Sequence, residues 1–206
     1  MELTHDEKDA LTELINIGYG RAAGALSELT GYRVTLEVPS VTLHTIEALL
    51  PLLENMIKVD VACVKQMFSG PLSGNALLML DESSALTLSR VLTDERSISQ
   101  EFDSNAREII VEVGNILLNA CLGVFGNLLE VHVTFSVPRL QKASIAKIMQ
   151  SVTAESEEAV KYGLMVHTRF QVKGGDVVGY LVIILGIASM DRLLLELKGW
   201  ETRQRL

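Results

Sequence analysis

Basic residues are scarce in this chain of 206 residues: 18 Lys and Arg stand against 26 Asp and Glu, giving a net charge of −8. Nucleic acid and anionic lipid are disfavoured as main partners, because both carry negative charge and no basic stripe compensates. Aromatic residues make up only 5% of the chain, too few for a base-stacking surface of the single-strand-binding kind. Two cysteines occur, Cys63 and Cys121. Without C-x-x-C spacing they indicate neither a zinc site nor a disulfide scaffold, and a reducing cytoplasm is the simplest setting. Both fall at apolar positions and read as core. His5, His44, His132 and His167 share no ligand spacing, so no metal-binding residue is assigned. No stretch approaches the roughly 18 uninterrupted apolar residues of a membrane helix, and the opening MELTHDEKD is too polar for a signal peptide, so membrane insertion is not expected.

What the chain does have is apolar content, 48%, enough for a packed core. Residues 5–29 carry Leu11, Leu14, Ile15, Gly18, Ala22, Ala25, Leu26 and Leu29 at helical spacing, with a capping box at Thr4-x-x-Glu7 and a stop at Gly31. Residues 32–38 alternate as a strand that Pro39 ends. A short helix over 46–53, strands over 56–67 and 74–80 joined as a hairpin, and a helix over 84–92 complete a first half, with 93–104 as a polar linker. The second half replays the order: a helix over 105–124, a strand over 130–137 ended by Pro138, a helix over 141–151, a hairpin of 161–172 with 177–185, and a helix over 189–198. The expected form is an α/β domain of the α+β type. It is a two-layer, internally duplicated unit of two repeats, about 1–97 and 98–206, with pseudo-two-fold symmetry and a mainly antiparallel sheet packed against two long helices. Gly18-Y-Gly20-R-A-Ala23 mimics a dinucleotide fingerprint only superficially, since no strand precedes it, and the small residues Gly18, Gly20, Ala22, Ala23, Gly24 and Ala25 read as a close helix contact. Met56, Met67, Met79, Met149, Met165 and Met190 read as packing.

The duplication shows most sharply in one motif. E-x-x-N occurs at Glu13/Asn16 and at Glu112/Asn115, and Pro39 and Pro138 follow each Asn by 23 positions. The offsets 112 − 13, 115 − 16 and 138 − 39 are all 99. Further along, 179 − 74 and 189 − 84 give 105, placing a gain of 6 residues between Pro138 and the second hairpin. Asp9, Glu13 and Asn16 lie at i, i+4 and i+7, a polar stripe opposite the apolar face; Glu108, Glu112, Asn115 and Asn119 form its counterpart. Asn is a poor residue inside a helix because its amide competes for backbone hydrogen bonds.

A carboxylate can pair with a lysine or arginine of a partner, and an amide, both donor and acceptor, can orient a water. Asn is no general base at neutral pH, so a site built on it works by positioning. Phosphoryl transfer is a chemistry in which positioning suffices.

The doubled pattern Asp9-x3-Glu13-x2-Asn16-x22-Pro39 and Glu108-x3-Glu112-x2-Asn115-x22-Pro138 resembles the signature of the CheC, CheX and FliY phosphatases of chemotaxis. With both motifs kept on about 200 residues it is most similar to CheC. The resemblance implies a hydrolase acting on the aspartyl-phosphate of the response regulator CheY. Glu13 and Glu112 would anchor the regulator's lysine, and Asn16 and Asn115 would orient the attacking water. No cofactor is implied for this chain, the required Mg²⁺ belonging to the CheY substrate. Pro39 and Pro138 read as structural, and Asp9 and Glu108 as flanking positions. Glu108, where the pattern has Asp or Ser, makes the two sites unequal. Phosphorylated CheY is the implied partner, with the receptor deamidase CheD a second one at family level. The competing reading is a non-catalytic module that binds CheY-phosphate or CheD to regulate receptor modification.

Overall fold

The capping box at Thr4 is formed on both arms: the Thr4 hydroxyl accepts from the Glu7 backbone N–H at 3.2 Å, and Glu7 Oε2 accepts from the Thr4 N–H at 2.9 Å. It starts α1 (His5–Thr30), which Gly31 ends in the left-handed region at φ 71°. The computed structural model describes residues 3–93, 102–128, 130–155, 160–172 and 175–204. After α1 come β1 (Thr35–Thr45), α2 (Ile46–Met56), β2 (Val61–Ser69), β3 (Gly74–Asp81), α3 (Glu82–Thr93), α4 (Ser104–Leu128), β4 (Thr134–Phe135), β5 (Arg139–Ala143), α5 (Ile145–Glu155), β6 (Val160–Val172), β7 (Gly175–Gly186) and α6 (Ile187–Gln204). The expected linker lies mostly outside the described residues; α4 begins at its end.

Glu7 is held below the usual carboxylate range, chiefly by the Thr4 backbone hydrogen bond. A depressed folded value contributes stability above the unfolded value near 4.5 and loses it as pH falls through the folded one. Glu7→Ala, which removes the carboxylate, is therefore expected to cost about 1 kcal/mol at neutral pH and clearly less at pH 3, which urea melts at the two pH values check.

All pairings in the seven-stranded sheet are antiparallel, in the order β1-β6-β7-β3-β2, with β4 and β5 both on the outer edge of β2. The two outermost positions are exchanged between halves. β1 pairs with β6 of the second half, and β4 and β5 pair with β2 of the first. At the centre Leu77 faces Val182 in the β3–β7 pair; 182 − 77 is 105, so a residue faces its own repeat counterpart and the pseudo-two-fold axis passes between them. Long helices α1 and α4, with α3 and α6, cover one face through Leu14, Ala22, Leu117, Cys121, Leu88 and Leu193. The mainly antiparallel sheet against two motif-bearing helices is thus present. In addition α2 and α5 close the opposite face through Leu49, Leu53, Ile148 and Val152.

Several local expectations are corrected. Pro39 does not end a strand: β1 runs through it to Thr45, with a register shift between Glu37 and Ser40. An edge strand tolerates a missing N–H at a bulge, where no partner needs the donor. Of 130–137 only Thr134–Phe135 is strand, and His132 lies exposed in a loop. Gln141 to Ala143 belong to β5, and the helix starts only at Ile145. Pro138 sits between β4 and β5, interrupting a strand line along β2 as Pro39 does along β6. The extra residues of the second half also fall elsewhere. α2 to α5 keeps an offset of 99 (145 − 46). Gly74 pairs with Phe68 and Gly179 with Thr168, so β2 to β6 is 168 − 68, or 100, and β3 to β7 is 105. One residue is gained before β6 and five lie in the longer β6–β7 hairpin, where added length costs little closure entropy.

Helix α1 buries Leu11, Leu14, Ile15, Gly18, Ala22 and Leu26 as expected, together with Glu7 and Tyr19. Ala25 and Leu29 are exposed. Of the glycine run only Gly18 makes the close contact: a Cβ there would meet Cys121 Cα at 2.8 Å, whereas Gly20 and Gly24 face open space. Met56 and Met67 are about 40% exposed rather than packed; Met79, Met149, Met165 and Met190 are core. Both cysteines are buried, and burial raises their thiols, Cys63 to about 12. Residues 104–127 are long and apolar enough to cross a membrane by length and composition, but half of that window is buried, with Ile110, Val113, Leu117, Cys121 and Val124 in the sheet-facing core.

Candidate functional site

Asp9, Glu13 and Asn16 all point outward from α1 and are exposed, as is Gly20, the next position down the stripe. Asp9 lies 3.4 Å from the His5 ring through its Oδ2. No side-chain hydrogen bond holds Asn16 among the described residues. This is the arrangement the helical spacing gives: when Leu11, Leu14, Ile15 and Leu26 face the sheet, positions 9, 13 and 16 face away.

On α4 the stripe rolls inward as it descends. Glu108 and Glu112 are exposed, but Asn115 and Asn119 are half-buried. Asn119 Nδ2 donates to Asn115 Oδ1 at 2.7 Å, and Asn119 Oδ1 accepts from Gln66 Nε2 at 2.9 Å. Gln66 is buried on β2, and its Nε2 also donates to the Ser136 carbonyl at 3.0 Å. The approach that allows this chain is made at Gly114, next to Asn115, where a Cβ would lie 2.7 Å from Val64 Cβ. Only a glycine lets α4 come that close to β2.

The two Glu/Asn pairs are not brought together. The pseudo-two-fold axis relates two strands that lie side by side in one sheet and two helices on one face, so it stands across the sheet and the helices run in opposite directions. Gly18 meets Cys121, the counterpart of Ala22 (121 − 99), so the crossing lies beyond Asn16 on α1 and beyond Asn115 on α4. The motifs therefore stand at opposite ends of the helix pair as two separate surfaces. Pro39 and Pro138 lie in the sheet edges and not in either stripe. Among the described residues no group of three His, Cys, Asp or Glu side chains comes together as a metal site.

The model of the CheC-like family matches residues 7–43, a span holding Asp9, Glu13, Asn16 and Pro39. The chain is 23% identical over 169 residues to the CheY-P phosphatase CheC of Bacillus subtilis (strain 168), covering 81% of this chain and 80% of that protein. By these matches the chain is similar to the CheC/CheX/FliY family. Its fold matches the crystal structure of Thermotoga maritima FliY with a TM-score of 0.76 at 19% identity, over 98% of this chain and 99% of that one. The FliM middle domain from H. pylori shares the fold, with a TM-score of 0.60 at 15% identity over 94% of this chain and 99% of that one.

In this CheC-like chain the family match spans the first motif; the second, at Glu112 and Asn115, is tied to it by the repeat offset and by the pseudo-symmetric position of α4 against α1. Sequence reasoning found the Asn119 stripe position but missed Gln66. A signal was available: Ala62, Val64, Gln66 and Phe68 alternate toward the helices, and a lone amide in that series calls for a polar partner.

Proposed function

We propose that the chain accelerates hydrolysis of the aspartyl-phosphate of a CheY-type response regulator at two pseudo-symmetric sites. The observation that supports it most is the outward-facing Glu/Asn pair, one turn apart, on two helices that the fold relates by symmetry, with Glu13, Asn16 and Glu112 exposed and Asn115 half-buried. The B. subtilis relative named as a CheY-P phosphatase adds the substrate. Glu13 or Glu112 pairs with the lysine beside the regulator's phosphorylated aspartate, and Asn16 or Asn115 enters next to the phosphoryl group. The amide holds a water in line with the P–O bond to the aspartate. Water oxygen bonds to phosphorus, that P–O bond breaks, the aspartate leaves as carboxylate, and the water's proton goes to phosphate and solvent. Mg²⁺ held by the regulator offsets the developing charge. The phosphatase supplies orientation, the contribution an amide without basicity can make.

The second reading is binding without hydrolysis, to CheY-phosphate or to CheD, which the exposed carboxylates alone would serve. The readings separate on kinetics. With Asn115→Ala as parent, Glu13→Ala is expected to raise KM for phosphorylated CheY about 10- to 100-fold, the loss of one charge-assisted contact of about 1.5–3 kcal/mol. In the protein with Glu13 and Glu112 intact, the Asn variants should bind phosphorylated CheY with unchanged affinity and lose hydrolysis. A wild-type protein that binds phosphorylated CheY and leaves its decay rate unchanged would decide for the binding module.

A further inference from the structure

The amide chain that ends on Asn115 has a direction, and one backbone atom sets it. The Ser136 carbonyl can only accept, so Gln66 must turn its NH₂ toward it. The second proton of that NH₂ then meets Asn119, which must present Oδ1, leaving Nδ2 to face Asn115. Asn115 in turn must present Oδ1 inward and its NH₂ outward. Gln66 Oε1 is left buried without a hydrogen-bond partner, the cost of holding the amide in the orientation that donates twice. A reversed chain would set Gln66 Oε1 against the Ser136 carbonyl, oxygen on oxygen.

The first repeat has none of this. The counterpart of Asn119 is Gly20 (119 − 99), that of Gln66 by strand register is Val166 (66 + 100), and Val166 is fully buried among apolar side chains. Asn16 is thus free to present either end of its amide. Both sites carry the same Glu and Asn; only one carries the means of orienting the Asn.

We infer that Gln66 and Asn119 are positioning residues that fix the amide orientation of Asn115 and make the α4 site the faster of the two. The inference rests on the hydrolytic reading given above. Preorientation removes the need to select one amide rotamer in each encounter, so it acts on turnover and leaves binding, which Glu112 governs, unchanged.

The test uses Asn16→Ala as parent, so that only the α4 site works, and follows decay of CheY phosphorylated with acetyl phosphate. Asn119→Asp keeps the shape and still accepts from Gln66, but it cannot donate, so Asn115 must turn over to donate to it. Asn119→Ala merely releases Asn115. The expected kcat order is parent, then Asn119→Ala, about 3-fold lower, then Asn119→Asp, about 10-fold lower, with KM for phosphorylated CheY held within about 2-fold. A packing role predicts the opposite order, since Asp fills the space that Ala empties. Gln66→Met, close in volume and unable to donate, should fall with Asn119→Ala and serves if the Asp variant does not fold. Equal kcat in parent, Asn119→Ala and Gln66→Met, or Asp above Ala, overturns the relay alone. A parent with no activity while wild type is active assigns hydrolysis to the α1 site and also overturns it. No activity in either overturns the phosphatase reading and the relay with it.

Discussion

The double variant Asn16→Ala with Asn115→Ala is expected to leave phosphorylated CheY decaying at its own rate, a loss on the order of 10²-fold or more in the acceleration proposed for this protein. The reason is geometric. In the proposed mechanism, removal of the carboxamide leaves the carboxylates of Glu13 and Glu112 in place to anchor the regulator, so the complex would still form with an unheld water. The fold should barely register the change. Asn16 is exposed and without a side-chain hydrogen bond among the described residues, and Asn115 is half-buried with one, from Asn119. Loss of that one bond is worth about 1 kcal/mol at most. Each single variant should retain part of the activity, Asn16→Ala more than Asn115→Ala if the relay orients the α4 amide. Stopped-flow decay of CheY-phosphate with circular dichroism melts on the same samples checks both halves. A double variant with wild-type acceleration would remove both amides from the mechanism.

Gly18→Val is expected to destabilise the protein by about 3 kcal/mol, while Gly20→Val two residues away changes stability by no more than about 0.5 kcal/mol. Both glycines lie mid-helix on α1 with helical backbone, so conformational preference favours the substitution equally at each. What differs is the neighbour. At Gly18 a Cβ would meet Cys121 Cα at 2.8 Å and the Ala120 carbonyl oxygen at 3.3 Å. Backbone cannot turn aside as a rotamer can, so α1 and α4 would have to separate and open the core between Ala22, Leu117 and Cys121. Gly20 has nothing within 4 Å. Urea unfolding midpoints of the two variants measure the difference. Since α1 and α4 carry the two motifs, Gly18→Val should also lower the proposed phosphatase activity at both sites in proportion to folded protein.

How much of this was legible in the sequence depends on the range of the forces involved. The capping box at Thr4, the left-handed stop at Gly31, the inward faces of α1 and α4 and both hairpins follow from local spacing, and spacing was enough to find them. The two prolines were misread because their cost depends on whether a partner strand needs the N–H. That is a property of the sheet order: β1 and the β4–β5 line are edges, where a bulge absorbs the loss. The exchange of outer strands between halves was not legible either, since nothing in 35–45 names β6 as its partner. At the sites, the repeat offset found Glu13, Asn16, Glu112 and Asn115 and put each pair on a polar stripe. It treated the stripes as equivalent up to Glu108. The larger inequality comes from Gln66, 49 residues before Asn115 in the chain and two hydrogen bonds away from it, which no helical spacing could connect.

The most direct measurement of the central claim is the rate of inorganic phosphate release from acetyl-phosphate-labelled CheY, after removal of the phosphodonor, with and without the wild-type protein at substoichiometric amounts. Catalytic water positioning predicts faster release with more than one phosphate freed per molecule of this protein. Release at the rate of CheY alone, in a mixture where the two proteins demonstrably bind, would contradict it.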